Sequence, residues 1–171
     1  LGGDDATTSV KEIKIRGIVG SSESFEKISV TINSEPSNQE KQAISDLSSA
    51  SSTKSSASSE ISTAKSTINE AKSYNLDVSQ AESYLSNAET SLSNANTYYD
   101  TAQTYFNSCK NDLTNFNSAS SYADSAETSA SNAKIYAENA ISYTQNQIDT
   151  YKAKVAASGS ISNAQTALTS A

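Results

Sequence analysis

Between Val78 and Phe116 an apolar or small residue recurs at alternating steps of three and four: Val78, Ala81, Leu85, Ala88, Leu92, Ala95, Tyr99, Ala102, Phe106, Cys109, Leu113 and Phe116. This is the spacing of a seam along which one helix packs against others. Ala81, Ala88, Ala95, Ala102 and Cys109 take every seventh position, and Leu85, Leu92, Tyr99, Phe106 and Leu113 take the other seam position. The spacing therefore predicts one long helix, about 77–114, with a tight side and a bulky side.

The flanking sequence repeats the theme. Ser37-Asn38-Gln39-Glu40 reads as a capping box opening a helix over about 37–74. Its seam is Ala43, Leu47, Ala50, Lys54, Ala57, Ile61, Ala64, Ile68 and Ala71. Lys54, the single charge there, is expected to snorkel outward along its stem. Tyr74-Asn75-Leu76 breaks that helix, with Asn75 as a left-handed cap, and Asp77-Val78-Ser79-Gln80 caps the next. So short a connection makes the two helices antiparallel neighbours. In register, Ala71 meets Ala81, Ala64 meets Ala88, Ala57 meets Ala95, Ala50 meets Ala102 and Ala43 meets Cys109. The alanines predict a close approach of these two backbones.

A third helix is expected over about 117–157, with Ala119, Ala123, Ala126, Ala130, Ala133 and Ala137 on its seam. There the pattern slips to Ile141, Thr144, Ile148, Tyr151 and Val155, a four-four stutter that relaxes supercoiling. Ser158-Gly159 is expected to end it, leaving residues 158–171 as a short helical stub. The sum is a mainly α fold: an antiparallel three-helix coiled-coil bundle, an up-down-up rod over residues 37–157.

Residues 1–36 have a different pattern. A Gly-, Asp- and Thr-rich lead precedes two β-branched runs, with Ile13, Ile15 and Ile18 in the first and Ile28, Val30 and Ile32 in the second. Gly20 to Ser24 sits between them, and the arrangement reads as an N-terminal β-hairpin. A lone hairpin is marginal in water, so it either packs on the bundle end or pairs with strands from elsewhere. Its strand edges make Ile13, Ile15, Ile18, Ile28, Val30 and Ile32 the expected assembly contact.

Charge and residue types narrow the function. A net charge of −7 argues against nucleic acid and anionic membrane surfaces as partners, since no basic stripe is present. No run of apolar residues is long enough to span a bilayer. The chain has no His and one Cys, so no triad or His-based metal site can be written, and no disulfide framework exists. Cys109 shares a seam position with alanines and reads as a small buried hydrophobe. Glu82 with Glu89, and Asp124 with Glu127, stand among Ser and Asn on helix surfaces and read as solvated, not as a catalytic carboxylate pair. No catalytic, cofactor-binding or metal-ligating residue is expected, and the chain is not read as an enzyme. Met is absent even at the start, which fits an exported chain whose targeting segment has been removed and equally a sequence that begins at a cloning boundary. No Asn-x-Ser/Thr sequon is present, while O-linked sugar on the Ser-rich first helix stays open.

Tyrosine is the enriched aromatic, nine in all. Tyr122, Tyr136 and Tyr143 flank the third seam at multiples of seven, and Tyr98, Tyr99 and Tyr105 cluster with Phe106 on the central helix. They either close the rims of a narrow core or present Tyr98, Tyr122, Tyr136 and Tyr143 as a partner face.

The run Glu70-Ala71-Lys72-Ser73-Tyr74-Asn75-Leu76-Asp77-Val78-Ser79-Gln80-Ala81-Glu82 resembles a helical unit of secreted archaeal cell-surface and S-layer-associated proteins, a helix, an Asp-Val-Ser turn and a Leu/Ala-spaced helix. Leu113 to Ala126 looks like its continuation, with Asn115-Phe116 where that unit has Gly-Asp-Tyr, and the likeness covers about residues 40–155. The resemblance implies an extracytoplasmic structural role and transfers no functional residue. The expectation is a non-enzymatic spacer, stalk or self-assembling subunit of a cell envelope or surface filament. Its partners would be copies of itself or another cell-surface protein. A protein- or glycan-binding module using the Tyr-rich face is the alternative.

Overall fold

A computed structural model describes the backbone of residues 9–19, 22–32, 36–109 and 114–170, with side chains from residue 36 onward. Three helices pack together: α1 (Asn38–Ser73), α2 (Ser79–Ser108) and α3 (Thr114–Thr169). Before them, β1 (Ser9–Val19) and β2 (Ser22–Ile32) pair antiparallel, with Ile13 opposite Ile28 and Lys11 opposite Val30. Ile18 is opposite Glu23, out of the alternation shared by Ile13, Ile15, Ile28, Val30 and Ile32. Among the described residues the strands contact each other and no helix, so packing on the bundle end finds no support there. The lead before Ser9, the turn at Gly20 and Ser21, and the side chains of the six strand residues lie outside the described residues.

The start of α1 is set by its cap. Ser37 Oγ accepts a hydrogen bond from the Glu40 amide at 3.1 Å, as the capping box requires, and Ser37 is buried. Its end is equally defined. Asn75 takes the left-handed conformation at φ 56, the Leu76 amide reaches back to the Ala71 carbonyl at 3.2 Å, and the Asn75 amide donates to Lys72 at 2.9 Å. That is a Schellman closure, and Leu76 packs against the cluster that holds Ala71. The expected capping box of α2 takes another form. Val78 is the cap residue, and Asp77 Oδ1 accepts from the Ser79 amide at 3.0 Å, a turn that precedes the helix.

Each layer of the core takes residues from all three helices. Ala43, Cys109, Phe116 and Ala119 form one cluster; Ala50, Ala102, Ala123 and Ala126 the next; Ala57, Ala95, Ala130 and Ala133 the third. A fourth, longer cluster contains Ile61, Ala64, Ile68, Ala71, Val78, Ala81, Ala88, Ala137, Ala140 and Ile148. Rising numbers on α1 and α3 and falling numbers on α2 make the order up-down-up, in the expected α1–α2 register. The close approach, however, belongs elsewhere. α3 lies against both neighbours, whereas α1 and α2 touch each other far less. The reason is volume. α3 carries alanine at both seam positions, so its backbone can draw near. On α1 and α2 the second position holds large groups, such as Ile61 and Leu92 in one shared cluster, and such groups need more room between two backbones than alanine does.

Three boundaries differ from expectation. α2 ends at Ser108, with Cys109 as its C-cap, so Phe116 lies on α3. The three-four spacing runs on across the break because both sides face one core: Phe106 and Phe116 meet edge to face at 5.5 Å. Asn107 and Ser108, and then Asn115 after the break, favour caps and turns over helix interior. Leu113, expected on the seam, lies outside the described residues. The stutter falls one heptad later, because Ala140, not Ile141, follows Ala137 into the core, and Thr144 and Ile148 complete a four-four step. Thr144 is tolerated there because its hydroxyl donates to the Ala140 carbonyl at 2.7 Å.

The third difference is the largest. α3 continues through Gly159 to Thr169, 56 residues in all, and no separate stub exists. A single interior glycine costs about 1 kcal/mol relative to alanine, too little to end a helix whose neighbours all accept helical geometry. From Lys152 to Ser170 every residue of α3 is exposed, so the helix extends past the turn between α1 and α2.

Candidate functional site

The two faces of α3 that flank the buried seam differ in chemistry. Beside α2, Tyr122 lies between Tyr98 and Tyr105, which stand one heptad apart on the facing helix. The Tyr105 and Tyr122 rings stack at 5.3 Å and 10°, and Tyr98 with Tyr122 at 6.5 Å and 28°. Stacked rings at such distances add to the burial they provide and fix each other's orientation. Tyr98 ends this ladder and stays 39% exposed. Next to it a surface groove is lined by Tyr98, Ser121, Asp124, Ser125, Thr128 and Ser129. Five of these come from a single face of α3, at i, i+3, i+4, i+7 and i+8, the spacing that stacks residues along one side of a helix.

Chemically the groove offers one aromatic wall, one carboxylate and four hydroxyls. The Ser125 hydroxyl donates to the Ser121 carbonyl at 3.0 Å, which leaves its oxygen as an acceptor toward the groove. Such a set suits polar, hydroxyl-bearing ligands, through stacking on Tyr98 and hydrogen bonds to Asp124 and the α3 hydroxyls. Among the described residues no group of three or more His, Cys, Asp or Glu side chains could hold a metal ion.

The expected partner face is divided by the fold. Tyr98 and Tyr122 come together, Tyr136 stands apart and 36% exposed, and Tyr143 is half-buried against the Ile61–Ile148 cluster. Sequence reasoning placed Tyr105 in the aromatic cluster of the central helix but left it out of the partner face, and it missed the hydroxyl row of α3. Tyr105 stands seven after Tyr98, a signal that was available. The hydroxyl row carried none, because Ser and Thr fill every exposed face of this chain.

A second aromatic group marks the end of the bundle where α3 passes the α1–α2 turn. Tyr74 and Tyr151 stack at 5.0 Å, and Lys152 pairs with Glu70 at 3.0 Å while lying 5.7 Å from the Tyr74 ring centre. The Glu70 hydrogen bond raises the Lys152 pKa above the usual lysine range. Lys65 with Glu89 at 2.7 Å and Lys72 with Glu82 at 2.6 Å join α1 to α2 on the outside. These two pairs are half-exposed, and each is worth about 1 kcal/mol or less. Lys54 does not snorkel away from its seam. Its ammonium sits 3.9 Å from the Tyr99 ring centre, and burial lowers its pKa. Cys109 is buried, and its thiol donates to the Tyr105 carbonyl at 3.2 Å.

None of the described helices is long and apolar enough to cross a membrane. No protein family, no curated protein and no solved structure matches the chain.

Proposed function

We propose that this chain is a non-enzymatic, extracytoplasmic structural protein: a rod-like spacer, stalk or self-assembling subunit of a cell envelope or surface filament. The observation that carries this reading is the continuous stack of alanine-lined layers from Ala43 to Ala71 along α1, matched on both partner helices. Such a core is thin and long. The 36 residues of α1 span about 54 Å at 1.5 Å per residue.

The outer surface supports the same role. Thr53, Ser55, Ser62, Thr63, Thr90, Thr97, Thr101 and Thr104 each donate their hydroxyl to the carbonyl four residues back. Donors used up in this way offer little to passing molecules, and the excess of carboxylates at net −7 keeps like chains apart along their sides. Contacts between copies then belong at the ends. The N-terminal β-hairpin, with Ile13, Ile15, Ile18, Ile28, Val30 and Ile32, is one such contact, because unpaired strand edges recruit further strands. The resemblance to helical units of secreted archaeal surface proteins agrees with a site of action outside the cytoplasm.

Negative-stain microscopy over a concentration series tests this reading, with ordered polymers as the expected result. Deleting residues 1–33 is expected to end polymer growth while helicity per residue stays unreduced. Monodisperse monomers at every concentration would overturn the assembling role, and polymers that survive the deletion would remove the hairpin from it.

The groove at Tyr98 favours a second reading, a surface module that binds another cell-surface protein or a glycan through its ring, Asp124 and the α3 hydroxyls. Saturable binding of an oligosaccharide, lost in Tyr98→Ser at unchanged melting temperature, would support it. Binding that is indifferent to Tyr98 would remove it.

A further inference from the structure

The exposed end of α3 has a different seam from the part inside the bundle. Where α3 is packed, from Ala119 to Ala140, both seam positions are alanine. Past the α1–α2 turn the pattern becomes Ala157, Ile161, Ala164, Leu168, alternating small and large as α1 and α2 do. The likeness extends to sequence. Ile161-Ser162-Asn163-Ala164-Gln165-Thr166-Ala167-Leu168 repeats Leu85-Ser86-Asn87-Ala88-Glu89-Thr90-Ser91-Leu92 of α2 with only conservative changes. In α2 those residues work as a packing seam: Ala88 is buried, and Leu85 and Leu92 pack against the core cluster that holds Ile61, Ala64 and Ile68 of α1. In α3 the equivalent Ile161 and Leu168 are 59% and 80% exposed. A seam that packs in one copy of the motif is bare in the other.

Two features of charge indicate what covers it. Glu89 pairs with Lys65 of α1, and the equivalent residue in the repeat is Gln165, so the acid that would answer an α1-like lysine is gone. Past Lys152 and Lys154, no charged residue stands between Val155 and Ala171. Two such helices side by side and parallel would set Lys152 against Lys152 and Lys154 against Lys154. Running antiparallel they remove both oppositions and leave a neutral contact. The seam then matches itself: Ala164 meets Ala164 of the other copy on a two-fold axis, and Ile161 meets the other copy's Leu168. These are the small-to-small and large-to-large meetings of α1 with α2, where Ala64 faces Ala88 and Ile68 faces Leu85.

We infer that residues 155–170 of α3 are a self-association site, covered by the same segment of a second copy in an antiparallel, two-fold pair. The inference rests on the packing of the bundle and not on the assembling role proposed above. It also places this contact at the end of the rod away from the start of α1. A two-fold contact closes on itself and stops at a dimer, whereas a second contact at the opposite end would extend the chain of copies into a filament.

Cysteine trapping in the full chain tests it directly. With Cys109→Ala removing the native thiol, Ala164→Cys is expected to form a disulfide-linked dimer under mild oxidation, because a residue on the two-fold axis faces its own copy and the two thiols stay paired for as long as the helices do. Ser162→Cys, on the other side of the same helix, should cross-link more slowly by on the order of tenfold or more, since it depends on random encounter. Adding Leu168→Glu to Ala164→Cys should abolish the fast dimer and leave the thermal melt unchanged, because Leu168 takes no part in the bundle core. Failure of Ala164→Cys to dimerise, or equal rates at positions 162 and 164, would overturn the inference. Loss of polymers on deleting residues 1–33, with this dimer retained, would bear on the hairpin alone.

Discussion

α3 is one helix with two lives. From Phe116 to Ile148 it presents alanine after alanine to two neighbours and is buried along its whole seam, whereas from Lys152 onward it is exposed on every side. The backbone is the same in both parts. What differs is the size of the side chains on the seam and whether another helix meets them. Small residues on both seam positions let α3 lie close to α1 and α2 together. Large residues at one position, as at Ile161 and Leu168, suit a helix that meets one partner more loosely. Identical substitutions in the two parts should therefore have unequal effects.

The greatest inequality is expected for truncation of large groups. Ile148 is fully buried at the wide end of the core, so Ile148→Ala should cost about 2–5 kcal/mol. Leu168→Ala, outside the bundle, should stay within about 0.5 kcal/mol. Thermal or urea unfolding of the two variants makes the comparison, and equal losses would erase it. Enlargement comes next. Ala126→Leu forces a branched side chain between closely packed backbones and should cost about 1–3 kcal/mol. Ala157→Leu lies outside the bundle core and should leave the unfolding midpoint of the bundle where it was.

The smallest effect concerns the turn over which α3 passes. The Ser79 amide holds the Asp77 carboxyl below the usual carboxylate range. A depressed folded-state pKa gives stability that is fully present above the unfolded value and is lost as pH falls through the folded one. Asp77→Asn should therefore flatten the acid limb of a melting-temperature profile slightly. Lys152 has the opposite sign. Its raised pKa gives stability that is present below the ordinary lysine value and is lost as pH rises through the folded one. Lys152→Gln should lower the melting temperature slightly below that range and flatten the alkaline limb.

The helices and their register were legible because alanine at every seventh position leaves little choice of face. The pairs Ala43 with Cys109 and Ala50 with Ala102, written from spacing alone, are the ones found. Which pair of helices approaches closest was not legible from α1 and α2 alone. Their small seams are alike, and the decision lies in α3, whose second seam position is also alanine. Boundaries were obscured for two reasons. The spacing through Cys109 and Phe116 passes from the end of α2 to the start of α3 without a sign, since periodicity reports a shared core and not a continuous helix. Gly159 was given more weight as a stop than one glycine carries. The groove beside Tyr98 was half-legible. Its aromatic residues are few and distinctive, but its hydroxyls resemble every other exposed position.

The central claim is that α3 is the helix that approaches both others most closely, and cross-linking rates measure that approach. In a Cys109→Ala background, Ala50→Cys and Ala102→Cys are each combined with Ala123→Cys or Ala126→Cys, and with one another. Bridges from α1 to α3 and from α2 to α3 are expected to form readily, because these alanines share one layer and the backbones lie near. The α1–α2 bridge between positions 50 and 102 should be the slowest, with Tyr99 and Leu47 packed beside it. A fastest bridge between positions 50 and 102 would contradict the account and return the tight seam to α1 and α2.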